Sequence, residues 1–376
     1  MRFLTLIFCL FAFAVEAQYG NKFHLNQIQT IGSHNSYKKK PDPKVFAFLM
    51  KFKQRLGKDL NPEGIDYGHL PFDSQFNYYP VRGLEIDIYN DPKGGTFYKR
   101  RINAFVCGLK QKSGIKELKQ PGFKVLHIKD VDYQTNYYTF KQALTTVKKW
   151  SDEHPKHMTL FINIETKGDG PGDVNGLLRF FGFKRSIKFD AAACDSIDAE
   201  IKSVFGNDLK SILTPDKIRG KYPSLNEMAT HNDWPMLDSC RGKVIFIMEG
   251  DAEKTYPVGH PSLQGRAMFY YAEPGKPECA FVIKNGSKSE KEEIKELVKK
   301  GYIVRTRADG DTREARENDC TSRDAAFESG AQIISTDYYK PDLRWSTYTV
   351  SFPPGKIVRS NPINAPTGVK EFEIKE

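Results

Sequence analysis

The sequence predicts an α/β protein, a (β/α)8 barrel built as a single domain with decorated loops. Three observations point there. Short runs rich in Val, Ile, Leu and Phe recur along the chain, amphipathic segments separate them, and no internal repeat or Pro/Gly/Ser linker divides the series. With 376 residues, 39% of them apolar, the chain can fill one large core of this kind.

The elements follow in order. Arg2, the apolar run Phe3 to Val15 and the small residue Ala17 read as a signal peptide over residues 1–17, too short for a comfortable membrane span. No later apolar stretch is long enough to cross a bilayer, so a secreted protein is expected. Strands are expected at Ile28 to Ile31, Val81 to Tyr89, Lys124 to Ile128, Met158 to Glu165, Lys243 to Met248, Tyr302 to Thr306 and Gln332 to Ser335, with a weakly marked one near Leu209 to Leu213. Helical spacing marks Tyr138 to Trp150, Ser196 to Phe205 and Lys291 to Lys299, the last with Ser289 and Glu292 as a capping box. The barrel is assigned to residues 18–350, and residues 351–376, punctuated by Pro353, Pro354, Pro362 and Pro366, to an extended C-terminal tail or frayed end.

Cys9 leaves with the leader, and none of the other five cysteines has zinc-like spacing. Export favours disulfides, and Cys194–Cys240 and Cys279–Cys320 are the expected pairs. The formal charge of +10 favours an anionic partner: acidic lipid, glycan or nucleic acid.

Chemistry gathers at the predicted strand ends, which in a parallel barrel converge on one mouth. They carry Gly32-Ser33-His34-Asn35-Ser36-Tyr37, Leu84-Glu85-Ile86-Asp87-Ile88-Tyr89, His127-Ile128-Lys129-Asp130 and Asn163-Ile164-Glu165-Thr166-Lys167. Strand alternation turns Glu85 and Asp87 to the same face, a costly pairing unless a cation or an Arg/Lys partner neutralises it. With Glu165 and the amide oxygen of Asn35 they form an all-oxygen donor set suited to calcium. His34 and His127 fall beside that set, and two imidazoles with a hard divalent ion suit phosphodiester cleavage. The other histidines lie in loops or before strands and receive no role. GxSxG, the GxxxxGK[ST] loop and HExxH are absent.

In this order the motifs GSHNSY, LEIDIY, HIKD and NIETK resemble the catalytic half of phosphoinositide-specific phospholipase C. Val304-Arg305-Thr306-Arg307-Ala308-Asp309 and Ser335-Thr336-Asp337-Tyr338-Tyr339-Lys340-Pro341 resemble its secreted, calcium-dependent microbial branch. The resemblance implies a distorted TIM barrel and a Ca2+-dependent phosphodiesterase. It implies attack by the inositol 2-hydroxyl on phosphorus, giving diacylglycerol and a cyclic inositol phosphate. His34 and His127 match the catalytic pair, and Asn35, Glu85, Asp87 and Glu165 match the calcium ligands, with Glu85 placed to assist as base. Arg305 and Arg307 share a strand face suited to phosphate or inositol hydroxyls, or to ion pairs with Asp309 or Asp337, and Lys167 is expected at the substrate with them. The expected partner is a phosphoinositide lipid at a membrane surface, with no nucleic acid and no stable protein partner. Ile247-Met248-Glu249 stands where the intracellular animal enzymes place phosphate-gripping lysines, so unphosphorylated or lyso lipid is the expected substrate. Two other readings compete. One is a two-histidine barrel phosphodiesterase acting on glycerophosphodiesters or sphingomyelin. The other is a non-catalytic secreted binder of anionic lipid or glycan, suggested by the charge and the Lys38-Lys39-Lys40 run.

Overall fold

Strand-forming and helix-forming segments alternate and close on themselves. The computed structural model describes residues 22–56 and 61–376, so the expected leader lies outside the described residues. The strands are β1 (Ile28–Ser33), β2 (Val81–Tyr89), β3 (Lys124–Val125), β4 (Leu160–Thr166), β5 (Val244–Gly250), β6 (Phe269–Tyr270), β7 (Phe281–Ile283), β8 (Ile303–Arg307), β9 (Ile333–Thr336) and β10 (Val358–Ser360). Eight of them run parallel in the order β6-β5-β4-β2-β1-β9-β8-β7. A single parallel bridge, Tyr271 to Phe281, joins the two ends into a nearly closed barrel.

The third expected strand is not a barrel stave. Lys124 and Val125 pair antiparallel with Tyr89 and Ile88, at the end of β2 that β1 leaves uncovered. Pairing there satisfies backbone groups that would otherwise lie open. His127 therefore stands in a loop at the mouth rather than on a parallel strand. Two staves went unforeseen, because β6 and β7 are too short to show alternation or a sustained apolar run. Leu209 to Leu213 contributes only the bridge of Ile212 to Val244.

The helix Phe140–Glu153 starts at Thr139, which forms a capping box with Gln142, and buries Phe140, Leu144 and Val147 at the expected spacing. Ala191–Phe205 starts from Asp190, whose carboxylate accepts from the Ala193 amide. Lys291–Lys299 forms as expected without its capping box. Its N-cap is Glu290, one residue later than anticipated, so Glu292 is out of register and pairs with Lys295 instead.

β1 and β2 approach closely through two glycines: a Cβ on Gly83 would lie 2.8 Å from the Gly32 Cα. The chain after Phe352 is held in place. β10 pairs antiparallel with the start of β1, and Glu376 binds the Arg82 guanidinium. Among the described residues no disulfide forms, which corrects both expected pairs. Cys194, Cys240 and Cys279 are buried thiols in the apolar core, where burial pushes their pKa values up to about 11, 11 and 12. They pack as small apolar groups.

Candidate active site

Alternation along the staves turns one set of side chains to the barrel interior. Gly83, Phe161, Ile247 and Ile333 line one cavity inside the barrel together with Glu85, Asn163, Arg305 and Ser335. Register then sets Asp87 beside Glu165, and Glu165 beside Glu249, at the carboxyl ends of β2, β4 and β5.

Glu85, Asp87 and Glu165 each offer a carboxylate oxygen within 4.8 Å of the others. Burial, opposed by Lys167 and reinforced by Glu165 and Glu85, pushes the Asp87 carboxyl well above its usual range. Burial also disfavours the Glu85 charge, but His34 and Arg305 outweigh it and hold that carboxyl low. The Asn35 amide lies between Asp87, whose two oxygens are 2.9 and 3.2 Å away, and the Tyr67 hydroxyl at 2.8 Å. Without a cation the amide nitrogen belongs on the Asp87 side; with one, the oxygen does. Four oxygen donors converging on a deficit of positive charge fit a hard divalent ion, and calcium suits them.

Each expected histidine has a carboxylate behind it. The Nδ1 of His34 is 2.8 Å from Oδ1 of Asp337, and the Nδ1 of His127 is 2.8 Å from Oδ2 of Asp132. Both aspartates are fully buried, while the imidazole side chains keep 17% and 16% exposure, enough to meet a substrate. On its other face His34 sets Nε2 3.3 Å from Oε1 of Glu85 and 3.2 Å from Nη1 of Arg307. Burial, followed by the Arg307 charge, drives the His34 pKa well below its ordinary value.

The basic residues divide by depth. Arg305, 3% exposed, bonds Glu85, Ser335 and Asn285 and reaches Glu249 at 3.8 Å. Arg307 pairs with Asp337 at 3.2 Å and lies higher, beside His34. Lys167 extends its ammonium to Asp87 at 3.3 Å and to Glu165 at 2.8 Å. Lys38 departs from the solvated lysine run. It is fully buried, 3.1 Å from Asp132, and donates to the Ile65 and Tyr67 carbonyls. Thus all the expected site residues meet at one mouth, with Arg305 beneath the others.

Sequence reasoning missed Asp132, Asp337 as a histidine partner, Tyr67, His69 and Glu249. Asp132 was findable, five residues beyond His127, whereas Asp337 lies 303 residues from His34. His69 donates from Nε2 to the His34 backbone carbonyl, 2.8 Å away; a carbonyl only accepts, so this nitrogen carries the proton. Burial pushes the Glu249 carboxyl up to about 7 against the pull of Arg305.

A sequence model of the family described as phosphoinositide phospholipase C, Ca2+-dependent, matches residues 23–362. No curated protein matches the sequence. Among solved structures, a calcium-dependent phosphoinositol-specific phospholipase C from a Gram-negative Pseudomonas sp., in one apo crystal form, shares 15% identity with a TM-score of 0.52. The alignment covers 91% of this chain and 96% of that one. The same enzyme described as an apo form, myoinositol complex gives 0.50 at 15% identity, with the same coverage. At such identity these structures support the barrel fold, while the sequence model spans most of the chain. The chain belongs to the Ca2+-dependent phosphoinositide phospholipase C family, and it is a phosphoric diester hydrolase with calcium as its cofactor.

Proposed function

We propose that this enzyme cleaves phosphatidylinositol, or its lyso form, to diacylglycerol or monoacylglycerol and a cyclic inositol phosphate. The observation that carries the reading is the pair of carboxylate-backed imidazoles, Asp337–His34 and Asp132–His127, beside one acidic cluster. Asn35, Glu85, Asp87 and Glu165 would hold the calcium ion, which when bound neutralises phosphate charge and acidifies the attacking hydroxyl.

His34 acts as base in this scheme. With its Nδ1 proton directed to Asp337, its Nε2 lone pair takes the proton of the inositol 2-hydroxyl. Glu85, 3.3 Å from that nitrogen, stabilises the imidazolium and assists as base through a carboxylate oxygen that can take the proton on. The 2-oxygen bonds to phosphorus, the bond from phosphorus to the glycerol oxygen breaks, and His127 gives its Nε2 proton to the departing oxygen. Opening of the cyclic product by water runs the two histidines in reverse. Arg307 and Lys167 would face phosphate and inositol hydroxyls, while Arg305 fixes Glu85 from below.

Glu249 supports an unphosphorylated head group, because a carboxyl at the end of β5 accepts from hydroxyls and repels ring phosphates. Among the described residues no helix is long and apolar enough to cross a membrane, and we extend the proposal to an exported enzyme with its leader over residues 1–17. The test is a product assay with purified protein on phosphatidylinositol, phosphatidylcholine, sphingomyelin and glycerophosphodiesters, with calcium or chelator. Inositol phosphate formed only with calcium is expected. Undiminished turnover in chelator, or choline or glycerol phosphate as the sole product, would overturn the reading.

A further inference from the structure

The large exposed apolar side chains are concentrated in one place. Ten are exposed among the described residues, and Val174, Leu177, Phe180, Phe181 and Ile187 fall between β4 and the helix Ala191–Phe205. That stretch begins immediately after Lys167, so it stands on the barrel face that carries the site. Phe105, exposed on the connection from β2 to β3, packs edge-on against Phe181 with ring centroids 5.6 Å apart and extends the same patch. Phe180 is 82% exposed, Val174 74% and Leu177 65%. A contiguous apolar surface of this kind marks an interaction site rather than ordinary surface scatter.

The patch is mounted on a rigid base. Asp173 accepts from the Ser186 amide and hydroxyl, and Lys129, anchored beneath, reaches both Asp173 and Ser186. Phe183 is buried in the smaller of the two apolar clusters, so the segment is tied down at its foot while the short helices Pro171–Val174 and Gly176–Phe180 project. Arg179, Lys184 and Arg185 are exposed between the apolar groups and make no ion pair among the described residues. Protruding Phe and Leu side chains flanked by unpaired cations match the interface of an anionic bilayer, where rings enter the acyl boundary and cations meet head-group phosphates. A groove for a peptide or helix would instead be concave.

We infer that residues 171–189, with Phe105, form a membrane-docking knob that seats the barrel mouth on an anionic phospholipid surface. The inference rests on the phospholipase reading for its purpose, but its binding test does not require turnover. The whole chain is sedimented with large vesicles of phosphatidylcholine, with and without phosphatidylglycerol and without any inositol lipid. In parallel, cleavage of a water-soluble inositol phosphodiester of a short alcohol is followed with calcium.

The native chain is expected to bind the anionic vesicles. F180S/F181S should weaken that binding by about tenfold or more, as removal of two inserting rings demands. Its cleavage of the soluble diester should stay at the native rate, which also shows that it is folded. R179Q/K184Q/R185Q should lose the preference for phosphatidylglycerol and the sensitivity to salt. Native failure to bind either vesicle, or native-like binding by both variants, overturns the inference. If vesicles are bound but no soluble diester is cleaved, the phospholipase reading falls and the docking surface stands.

Discussion

Lys167, just past the end of the neighbouring stave β4, sets its ammonium 3.3 Å from Oδ2 of Asp87 and 2.8 Å from Glu165. The chain thus presents its own cation to two of the oxygens proposed to hold calcium. Burial opposes the lysine charge, yet Asp87 and Glu165 outweigh it and keep the ammonium protonated. Removing the charge without shortening the side chain much, as in K167M, should leave the acidic cluster more negative. Calcium affinity measured by calorimetry should then rise, by about tenfold, while KM for lipid also rises through loss of a phosphate contact. Weaker calcium binding by K167M would show that Lys167 supports the ligands instead of competing for them.

The aspartates behind the histidines are positioning residues, since neither touches the reacting atoms in the proposed scheme. D337N and D132N should lower kcat by about 10² to 10⁴ with little change in KM, as loss of an oriented imidazole does. The two should differ in stability. Asp132 also neutralises the buried Lys38, so D132N leaves an uncompensated charge and lowers the melting temperature. Asp337 has Arg307 beside it, which can reach solvent. A kcat unchanged in both variants would remove the two dyads from the mechanism.

Much of this site was legible because it depends on alternation. Glu85 and Asp87 are two apart on a strand, and Gly32, Asp87 and Glu165 lie near stave ends recognisable from apolar runs. The HIKD segment misled because a short apolar run does not reveal the direction of its pairing. Lys124 and Val125 fill an edge created by the early departure of β1 from β2, a tertiary circumstance. The histidine at that place was nevertheless found, since β3 lies beside the outer end of β2 and the loop that follows it stays at the mouth. Asp337 could be quoted as part of a motif, but its bond to His34 arises only when β9 pairs with β1. The disulfide expectation followed from compartment alone, which says nothing of whether two cysteines meet.

Calcium should stabilise the fold as well as assist the reaction. Three clustered carboxylates repel one another, and an ion that binds only the folded chain adds stability by mass action. At free calcium about a hundred times its Kd the gain is about 2.7 kcal/mol, which a thermal melt detects. E165Q should shrink that gain, and magnesium should reproduce little of it. Equal melts with calcium and chelator would place the ion elsewhere or nowhere in the folded chain.

Glu249 sets the head-group prediction. Its carboxyl lies 2.8 Å from the Asn163 amide nitrogen and within reach of Arg305, at the end of β5. E249Q should keep activity on phosphatidylinositol within about tenfold and relax discrimination against phosphatidylinositol 4-phosphate, because the repulsive charge is gone. A ratio of kcat/KM for the two lipids identical to native would exclude Glu249 as the selecting group.

His69 makes the fold sensitive to mild acid. Its ring is buried, stacks on Tyr339 with centroids 5.3 Å apart, and bonds the His34 carbonyl through Nε2. Burial, aided by Lys38 and Lys340 and opposed by Asp337, lowers its pKa to about 4. In the unfolded chain the ring titrates near the ordinary histidine value of about 6.5. Between those two values the unfolded state binds the proton and the folded state does not, so stability falls as pH drops through that window. The contribution is complete above about pH 6.5 and approaches a loss on the order of 3 kcal/mol near pH 4. H69Q retains an amide donor for the His34 carbonyl without the titration. Urea unfolding of both proteins in chelator, at pH 7 and pH 5, should show the native protein losing more stability than H69Q on acidification. Parallel losses would mean that His69 is protonated as readily in the folded chain as in the unfolded one.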